Sequence, residues 1–341
     1  MSSTNKNDAA TCIEKLSKEG SNGYAIVHSQ DLDGITSAAF LVHYFNMQAK
    51  HVFFGKPGKR IEEVIKKMKG NMPKKSVIVV ADLAYNPSVH AQMESFVKEM
   101  KNRGNYVAWI DHHPIDAKGR KALQQCDFLM VREYKSCAAE LIYKKLVKPA
   151  HGPDDYGENM CTIAHISDFN IKNTKYDGLI RIISGAISFL SGKNDLYGLR
   201  KITDTISKGE LKNAFIERNY RNYVTEAKKS KIYLVKSIKM YVFGGKKIGI
   251  GFGKNVSSNE ACAAIEKKTS CDVSAYVNIR ENTLHLRGNG TECLKIAKYF
   301  GGNGHPYASG ADITGINLNS TSGKKEFLKE LESAAEQAYT S

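Results

Sequence analysis

Short apolar runs alternate with helical patterns between residues 20 and 135, and this alternation limits the fold more than any other feature of the chain. The predicted strands and helices of this region are strands at 24–28, 51–54, 76–81 and 106–110 and helices near 35–46, 59–69 and 88–102. Strands that alternate with helices form βαβ units, in which the strands of one sheet run parallel. The sequence therefore predicts an α/β fold with a Rossmann-like parallel sheet in the N-terminal part.

Acidic residues or histidines follow three of these predicted strands. Asp31 and Asp33 come after the first strand, Asp82 follows the run at 76–81, and residues 111–113 (Asp-His-His) follow the run at 106–110. A fourth candidate, Asp168, lies in the segment beyond them. The carboxyl ends of neighbouring parallel strands converge on one crevice, so distant residues can meet there. Oxygen ligands with a few histidines favour manganese or magnesium, and the four sites together predict a metal centre.

Asp82 is the expected bridge between two metal ions, because it stands alone at the end of the most apolar strand. Two close cations can neutralise the oxygens of a phosphate, which is the usual logic of metal-assisted phosphoester hydrolysis. Asp31 and Asp33 would then face different metals, and His112 would be a nitrogen ligand. His113 would contact the substrate phosphate as a donor or acid.

Asp168 would complete the coordination of the second metal. His165 lies one helical turn before it and is predicted to support the centre or to pack in the core. Each acid also has a simpler interpretation, since Asp31 and Asp33 precede a predicted helix and are suited to cap it. The co-occurrence of all four sites favours the metal centre over caps alone.

The residue pattern of the C-terminal third predicts a second, smaller α/β domain with a mixed sheet. The segment 137–230 is helical in pattern and is expected to end as a bridging helix. Predicted elements beyond it are strands at 232–235, 240–243 and 248–252, a helix near 258–268, and a hairpin of 273–280 and 283–287. We expect three parts: a metal-binding catalytic domain (1–195), a helical linker (196–231) and a substrate-binding domain (232–341).

A glycine-rich segment at 301–310 is the second candidate site. Its sequence is GGNGHPYASG, and the backbone amides of such a turn can hold a phosphate or a similar anion. Arg287, at the end of the preceding strand, would add a bidentate clamp. A plain tight turn is the alternative interpretation.

The charge of the chain favours a polyanionic partner such as nucleic acid. The 341 residues carry a formal net charge of +15, with a pI near 9.3, and basic residues cluster around 193–247. A solvated surface is the alternative. The sequence contains neither G-x-x-x-x-G-K-[ST] nor G-x-S-x-G, which argues against a P-loop nucleotidase and an α/β-hydrolase.

The expected location is the cytoplasm, without attachment to a membrane. Seven cysteines form no C-x-x-C pair, which argues against disulfides and a zinc ribbon. The first residues are polar and lack the apolar core of a signal peptide, and no apolar stretch is long enough to span a bilayer.

Taken in order, these motifs closely resemble the DHH phosphoesterase superfamily, in the branch with a GGGH-type C-terminal domain. The motifs that carry the resemblance are His28, Asp31-Leu32-Asp33-Gly34, Asp82, Asp111-His112-His113, Asp168 and Gly301-Gly302-Asn303-Gly304-His305. That branch includes RecJ-like single-strand exonucleases, nanoRNases and cyclic-dinucleotide phosphodiesterases. The resemblance extends over nearly the whole chain.

The resemblance implies roles for individual residues. Two manganese ions, with magnesium or cobalt as alternatives, would be held by His28, Asp31, Asp33, Asp82, His112 and Asp168. Asp82 would be shared, and His113 would lie near the scissile phosphate. The substrate would be held from the second domain by Arg287, Gly302, Gly304 and His305, with Ser136 as a further candidate. The sequence departs from the family pattern in the spacing of His28 and in Asn303, which stands where a glycine is usual.

The preferred function is a metal-dependent phosphodiesterase that releases mononucleotides from single-stranded or short nucleic acid. A cyclic-dinucleotide phosphodiesterase is the second hypothesis, and a non-catalytic nucleic-acid-binding replication scaffold is the third. The complete set of metal motifs counts against the scaffold. The sequence leaves open the choice of RNA or DNA, the polarity, the preferred length and the oligomeric state, with a homodimer among the alternatives.

Overall fold

The computed structural model describes residues 8–55, 64, 74–84, 90–113, 115–131, 136–288, 290 and 292–340. The chain divides into two compact units, one that ends at Tyr223 and one that begins at Val224. The predicted helix near 59–69 lies outside the described residues except for position 64, and so do the first two residues of the predicted helix at 88–102.

The first unit contains a five-stranded parallel sheet. Its strands are β1 (Tyr24–His28), β2 (Val52–Gly55), β3 (Val77–Ala81), β4 (Tyr106–Asp111) and β5 (Phe128–Val131). Their order in the sheet is β2-β1-β3-β4-β5, and every pair is parallel. All five residues of β3 are buried, as expected for a central strand that is covered on both faces. The predicted α/β fold of this part is confirmed.

Helices cover both faces of this sheet. In chain order they are α1 (Ala9–Glu19), α2 (Leu32–Phe45), α3 (His90–Asn102), α4 (Ala117–Leu123), α5 (Ala138–Ile142), α6 (Lys148–His151), α7 (Asp155–Asp168), α8 (Asp177–Gly192) and α9 (Leu196–Ser207). A π-helical turn, Tyr143–Val147, joins α5 to α6. Among the described residues, none of the helices combines the length and the hydropathy that a membrane span requires.

Successive residues of a strand pack into two separate hydrophobic cores. Val77, Val79 and Ala81 of β3 belong to the core that contains α2, whereas Ile78 and Val80 belong to the core that contains α3. This division follows from the two-residue period of a strand, which points neighbouring side chains to opposite faces. Core side chains therefore pack against both faces of the sheet, and this packing holds the strands whose carboxyl ends form one edge.

The second unit is built on a six-stranded mixed sheet. Its strands are β6 (Lys239–Phe243), β7 (Lys246–Gly253), β8 (Val273–Asn278), β9 (Thr283–Gly288), β10 (Asn303–His305) and β11 (Ala308–Asp312), in the order β10-β11-β9-β8-β7-β6. Among the strand pairs of the described residues, β7 and β8 are parallel and the others are antiparallel. The helices are α11 (Ser258–Thr269), α12 (Glu292–Tyr299) and α13 (Thr321–Thr340). The predicted smaller α/β domain with a mixed sheet is confirmed.

One helix, α10 (Ala214–Ser237), replaces the strand that was predicted at 232–235. That prediction was wrong because a run of four apolar residues fits a helix and a strand equally well. Within the run only Leu234 is buried, while Ile232 and Val235 are exposed. The segment 196–231, predicted as a helical linker, contains α9, whose Leu199, Ile202 and Ile206 are part of the first unit's core, and most of α10.

Candidate metal centre

The topology brings the strand-end motifs to one edge of the parallel sheet. Strand β3 lies between β1 and β4, and all three run in the same direction. His28 is therefore at the end of one strand, Asp82 directly follows the next, and Asp111 ends the third. The predicted convergence of these residues is a consequence of strand order, which the sequence alone does not specify.

The segment after β1 places two aspartates in different surroundings. Asp31 is the N-cap of α2 and accepts a hydrogen bond from the Gly34 amide at 3.1 Å. Its other carboxylate oxygen contacts Nδ1 of His28, so the capping role and a place in the cluster coexist. Gly34 is required here because a Cβ at this position would lie 2.4 Å from the carbonyl oxygen of His28.

Asp33 lies on the first turn of α2 and is buried. Its two carboxylate oxygens accept hydrogen bonds from the amides of Ala138 and Ala139, both at 2.7 Å. These amides belong to the first turn of α5, where backbone N–H groups have no partner within the helix. The carboxylate is thereby held in one orientation, with Oδ2 3.6 Å from Nε2 of His112.

Asp82 occupies the centre of the cluster. Its backbone φ is +51°, a left-handed conformation that is costly for most residues with a side chain and tolerated best by Asn and Asp. Oδ1 of its carboxylate lies 3.4 Å from Nε2 of His112, and Oδ2 lies 3.7 Å from Nδ1 of His28. The two oxygens of one buried carboxylate thus face two different imidazoles.

Three overlapping sets of side chains are close enough to hold a metal ion. They are His28 with Asp31 and Asp82; Asp33 with His112 and Asp168; and Asp82 with Asp111, His112 and His113. Within each set the ligand atoms lie within 4.8 Å of one another. Nδ1 of His112 is 3.7 Å from Oδ2 of Asp168, which brings the fourth predicted motif to the cluster.

Buried polar atoms in the cluster fit a cation. Nε2 of His28, Oδ2 of Asp82 and Nε2 of His112 are buried without a hydrogen-bond partner among the described residues. A buried polar group without a partner is costly, and native structures usually satisfy it with a protein group, a water or an ion. Carboxylate oxygens and neutral imidazoles are the donors that manganese, magnesium and cobalt accept, so the residues fit such a metal.

The pKa shifts of the cluster also favour a bound cation. Burial raises the pKa of Asp33, and the charges of Asp82 and Asp31 raise it further. The pKa of Asp82 is raised by burial and by the charge of Asp31. Burial alone would lower the pKa of His28, but its contacts with Asp31 and Asp82 outweigh burial and raise that pKa to about 10. The centre therefore holds an excess of negative charge that a divalent cation would neutralise.

Asp111 belongs to the Asp-His-His motif named in the sequence, but it was not assigned a role of its own. It is buried, and its Oδ1 accepts hydrogen bonds from the His112 amide at 2.8 Å and from Nδ1 of His113 at 2.8 Å. The hydrogen bond that Nδ1 of His113 donates to Asp111 raises the pKa of His113. The available signal was its place as the last residue of β4, at the start of the Asp-His-His tripeptide.

Asp111→Asn is expected to lower kcat about 10- to 100-fold, since losing a hydrogen-bond partner that orients a functional histidine has effects of this size. The thermal stabilisation by manganese should be retained, because His28, Asp31, Asp33, Asp82, His112 and Asp168 are untouched. Steady-state kinetics and melting curves with and without metal check both points. A variant that loses the metal-dependent stabilisation would show that Asp111 acts as a ligand instead.

A second carboxylate–histidine pair adjoins the cluster. Nδ1 of His165 lies 2.7 Å from Oε2 of Glu140, a buried residue of α5 whose other oxygen accepts from Lys144 at 2.7 Å. His165 is in none of the three ligand sets, and its ring lies 4.6 Å from that of Phe169. Ser136 is half-buried and directly precedes Cys137, the N-cap of α5.

The substrate residues predicted in the second unit share one face of its sheet. Arg287 of β9 pairs with Ala308 of β11, which in turn pairs with His305 of β10. Directly paired residues of antiparallel strands point to the same face, so Arg287 and His305 lie on one side, separated by a single strand. Nη2 of Arg287 donates to Oδ1 of Asn259 at 3.1 Å, and the exposed ring of His305 stacks on Tyr307.

The glycine segment makes a close turn against β11. A Cβ at residue 302 would lie 2.1 Å from the carbonyl oxygen of Gly310, and residue 304 has a φ of +143°. Both positions therefore require glycine for backbone reasons, which agrees with the tight turn of the simpler interpretation. Residues 303–305 are exposed, but the Gly302 amide donates to the carbonyl oxygen of Ala297 at 2.8 Å and the Gly304 amide donates to Oδ1 of Asn303 at 2.9 Å. The anion-binding role stays a prediction.

Fold and cluster together define an α/β protein with a candidate divalent-metal centre at the carboxyl edge of a parallel sheet. Residues 24–167 match the model of the DHH family N-terminal domain, and this part of the chain is therefore similar to the DHH superfamily, which includes phosphoesterases. The resemblance to the DHH superfamily is thereby confirmed for these residues, and the GGGH-type branch stays a prediction. No curated protein sequence matches the chain significantly.

The solved structures that match this chain share little sequence with it. The DHH domain of a member of a family of ribosomal proteins is 15% identical to this chain, with a TM-score of 0.53. The match covers 96% of this chain and 89% of that domain's chain. RecJ from Thermus thermophilus in complex with Mg2+ is 11% identical, covering 96% and 52%, with a TM-score of 0.42. CDC45 from Entamoeba histolytica is 10% identical, covering 98% and 99%, with a TM-score of 0.49. The first of these supports the fold assignment.

Proposed function

We propose that this chain is a divalent-metal-dependent phosphodiesterase that hydrolyses single-stranded or short oligonucleotides to mononucleotides from one end. The observation that carries the proposal is the position of Asp82, whose two carboxylate oxygens face His28 on one side and His112 on the other. A carboxylate so placed is suited to be shared by two cations. Two bound cations would supply Lewis acidity for the phosphate and a nucleophile from water at neutral pH.

The ligand roles follow from the three sets of side chains. We assign His28, Asp31 and Asp82 to one metal, and Asp33, Asp82, His112 and Asp168 to the other. Two backbone amides donate to Asp33, and the Gly34 amide donates to Asp31, the N-cap of α2. These hydrogen bonds would keep both carboxylates oriented while substrate binds and leaves. Manganese is the expected ion, and the same oxygen-rich donor set accepts magnesium or cobalt.

His113 is assigned to the reacting phosphate. Its Nδ1 donates to Asp111, and this contact raises the pKa of the ring and so favours the imidazolium form. In that form Nε2–H would hydrogen-bond a phosphate oxygen or give its proton to the leaving oxygen. The side chain is 37% exposed, more than that of His112, which suits contact with a substrate. This arrangement, an imidazole oriented by a buried carboxylate, is the usual way in which proteins fix the tautomer of a catalytic histidine.

Arg287, Gly302, Gly304, His305 and Ser136 are assigned to substrate binding. Arg287 offers a planar fork of donors for a phosphate, and His305 adds a donor on the same face of the second unit's sheet. Gly302 and Gly304 have no side chain that would block an anion from this strand, while their amides already donate to Ala297 and Asn303. The net charge of +15 favours a polyanionic strand over a small neutral substrate.

The test is hydrolysis of a labelled substrate panel with manganese and in EDTA. The panel contains dinucleotide RNA, a 12-nucleotide RNA, a 12-nucleotide DNA and cyclic di-AMP. We expect mononucleotides from the linear substrates in manganese alone, and a preference for the dinucleotide would indicate a nanoRNase. Turnover of cyclic di-AMP only would replace the proposal by a cyclic-dinucleotide phosphodiesterase. Tight binding of strands without any turnover would replace it by a nucleic-acid-binding scaffold.

A further inference from the structure

Three lysines line one cavity in the second unit, and none of its lining residues belongs to the glycine-rich segment 301–310. The cavity has a volume of about 260 Å³ and is lined by Lys229, Ser230, Tyr233, Lys254, Ile279, Asn319 and Lys324. These residues come from α10, from the segment after β7, from the turn after β8, and from the start of α13 and the residues just before it. Four separate parts of the chain thus bring three ammonium groups around one space.

None of the three lysines is neutralised by an acid among the described residues. Lys324 donates to the hydroxyl of Tyr233 at 3.0 Å and lies over the rings of Tyr233 and Phe252, at 5.8 and 5.5 Å from their centroids. Contacts with two rings hold its ammonium group in place without cancelling its charge. By contrast, the neighbouring Lys231 is paired with Glu260 at 3.1 Å.

We propose that this cavity binds a phosphate group. Three ammonium groups supply positive charge, and the Ser230 hydroxyl, the Tyr233 hydroxyl and the Asn319 amide supply further donors, while no carboxylate lines the space. Ile279 is a buried apolar residue of the lining. Ligand sites for drug-sized molecules usually measure about 300–1,000 Å³, so the cavity fits one phosphate with part of a sugar better than a whole dinucleotide.

The phosphate comes from one of two sources, a bound nucleic-acid strand or the free anion. The strand is the expected source, and this part of the inference rests on the proposed function. The site would then hold a phosphate of the strand at a place other than the metal centre. Such contacts contribute affinity without reading sequence, and they would favour longer strands over dinucleotides.

The test measures binding by the full-length protein in EDTA, so it does not depend on hydrolysis. The cavity variant is Lys229→Gln/Lys254→Gln. The matched control is Lys239→Gln/Lys325→Gln, which removes the same charge from two exposed lysines of the same unit that do not line the cavity. The probes are a fluorescein-labelled 12-nucleotide single strand, followed by anisotropy over a series of salt concentrations, and inorganic phosphate, followed by calorimetry.

We expect the cavity variant to bind the 12-nucleotide strand at least about fivefold more weakly than the control variant. The slope of log K against log salt should fall in magnitude by about 0.7, the value for one phosphate contact of a single strand. Phosphate binding that is lost in the cavity variant, with strand binding equal to that of the control, would assign the site to the free anion. Equal behaviour of the two variants with both probes would overturn the proposal.

Discussion

Asp82→Asn is expected to lower kcat for phosphodiester hydrolysis by at least about a thousandfold. The substitution removes the charge of the carboxylate that faces both His28 and His112, and a shared ligand positions both cations. Asparagine is the informative replacement because it tolerates the left-handed backbone of residue 82, whose φ is +51°. Loss of activity would then be due to chemistry and not to a distorted turn.

The control for this variant is Asp204→Asn, at an aspartate of α9 whose partly exposed carboxylate pairs with Lys208. It should retain the activity of the unchanged protein. The measurement is the single-turnover rate on the best substrate of the panel, at saturating manganese. Full activity of the Asp82→Asn protein would show that the assignment of the metal centre is wrong, whatever the substrate.

Manganese is expected to raise the melting temperature of the first unit by about 5–10 °C when the free metal is a hundredfold above its Kd. Binding to the folded state alone contributes about 2.7 kcal/mol under that condition. For a domain of roughly 150–250 residues, each kcal/mol shifts the melting temperature by about 2–4 °C. The physical source is the neutralisation of buried Asp33 and Asp82, whose pKa values are raised by burial and by neighbouring acids.

Removing the metal with EDTA should reverse this shift, and Asp82→Asn should abolish it. Without metal, the Asp82→Asn protein should melt at the same temperature as the unchanged protein or higher, because one of several mutually repelling buried acids is gone. Differential scanning fluorimetry or circular dichroism, with calcium as a comparison ion, gives the readout. A manganese shift of equal size in both proteins would place metal binding elsewhere on the chain.

The sequence predicted four of the five strands of the first unit, with β5 (Phe128–Val131) missed, and it predicted the polar residues at the strand ends, because both depend on local patterns. The runs that end at His28, Ala81 and Ile110 are short, apolar and rich in β-branched residues, and strand ends of a parallel sheet face one edge. Strand order was not predictable, and it is the order β1-β3-β4 that makes Asp82 central. The role of Asp111 was missed because it depends on hydrogen bonds that no spacing reveals.

Two other features were not predicted from the sequence, each for a different physical reason. The apolar run at 232–235 was assigned to a strand, although the helix that begins at Ala214 continues through it and presents only Leu234 to the core. The lysine-lined cavity draws on residues 229 to 324, and no local motif marks such a convergence. The metal ligand roles and the substrate residues stay predictions until the variants above are measured.

The hydrogen bonds of Asp33 link residues that are 105 and 106 positions apart in the chain. Long-range contacts of this kind form late in folding, since a long loop must close before they are made. Asp33 is oriented only when α5 has docked, after all five strands of the first unit have been made. If Asp33 is a metal ligand as proposed, metal affinity would be a property of the completed domain, and a nascent chain that still lacks α5 would bind divalent ions poorly.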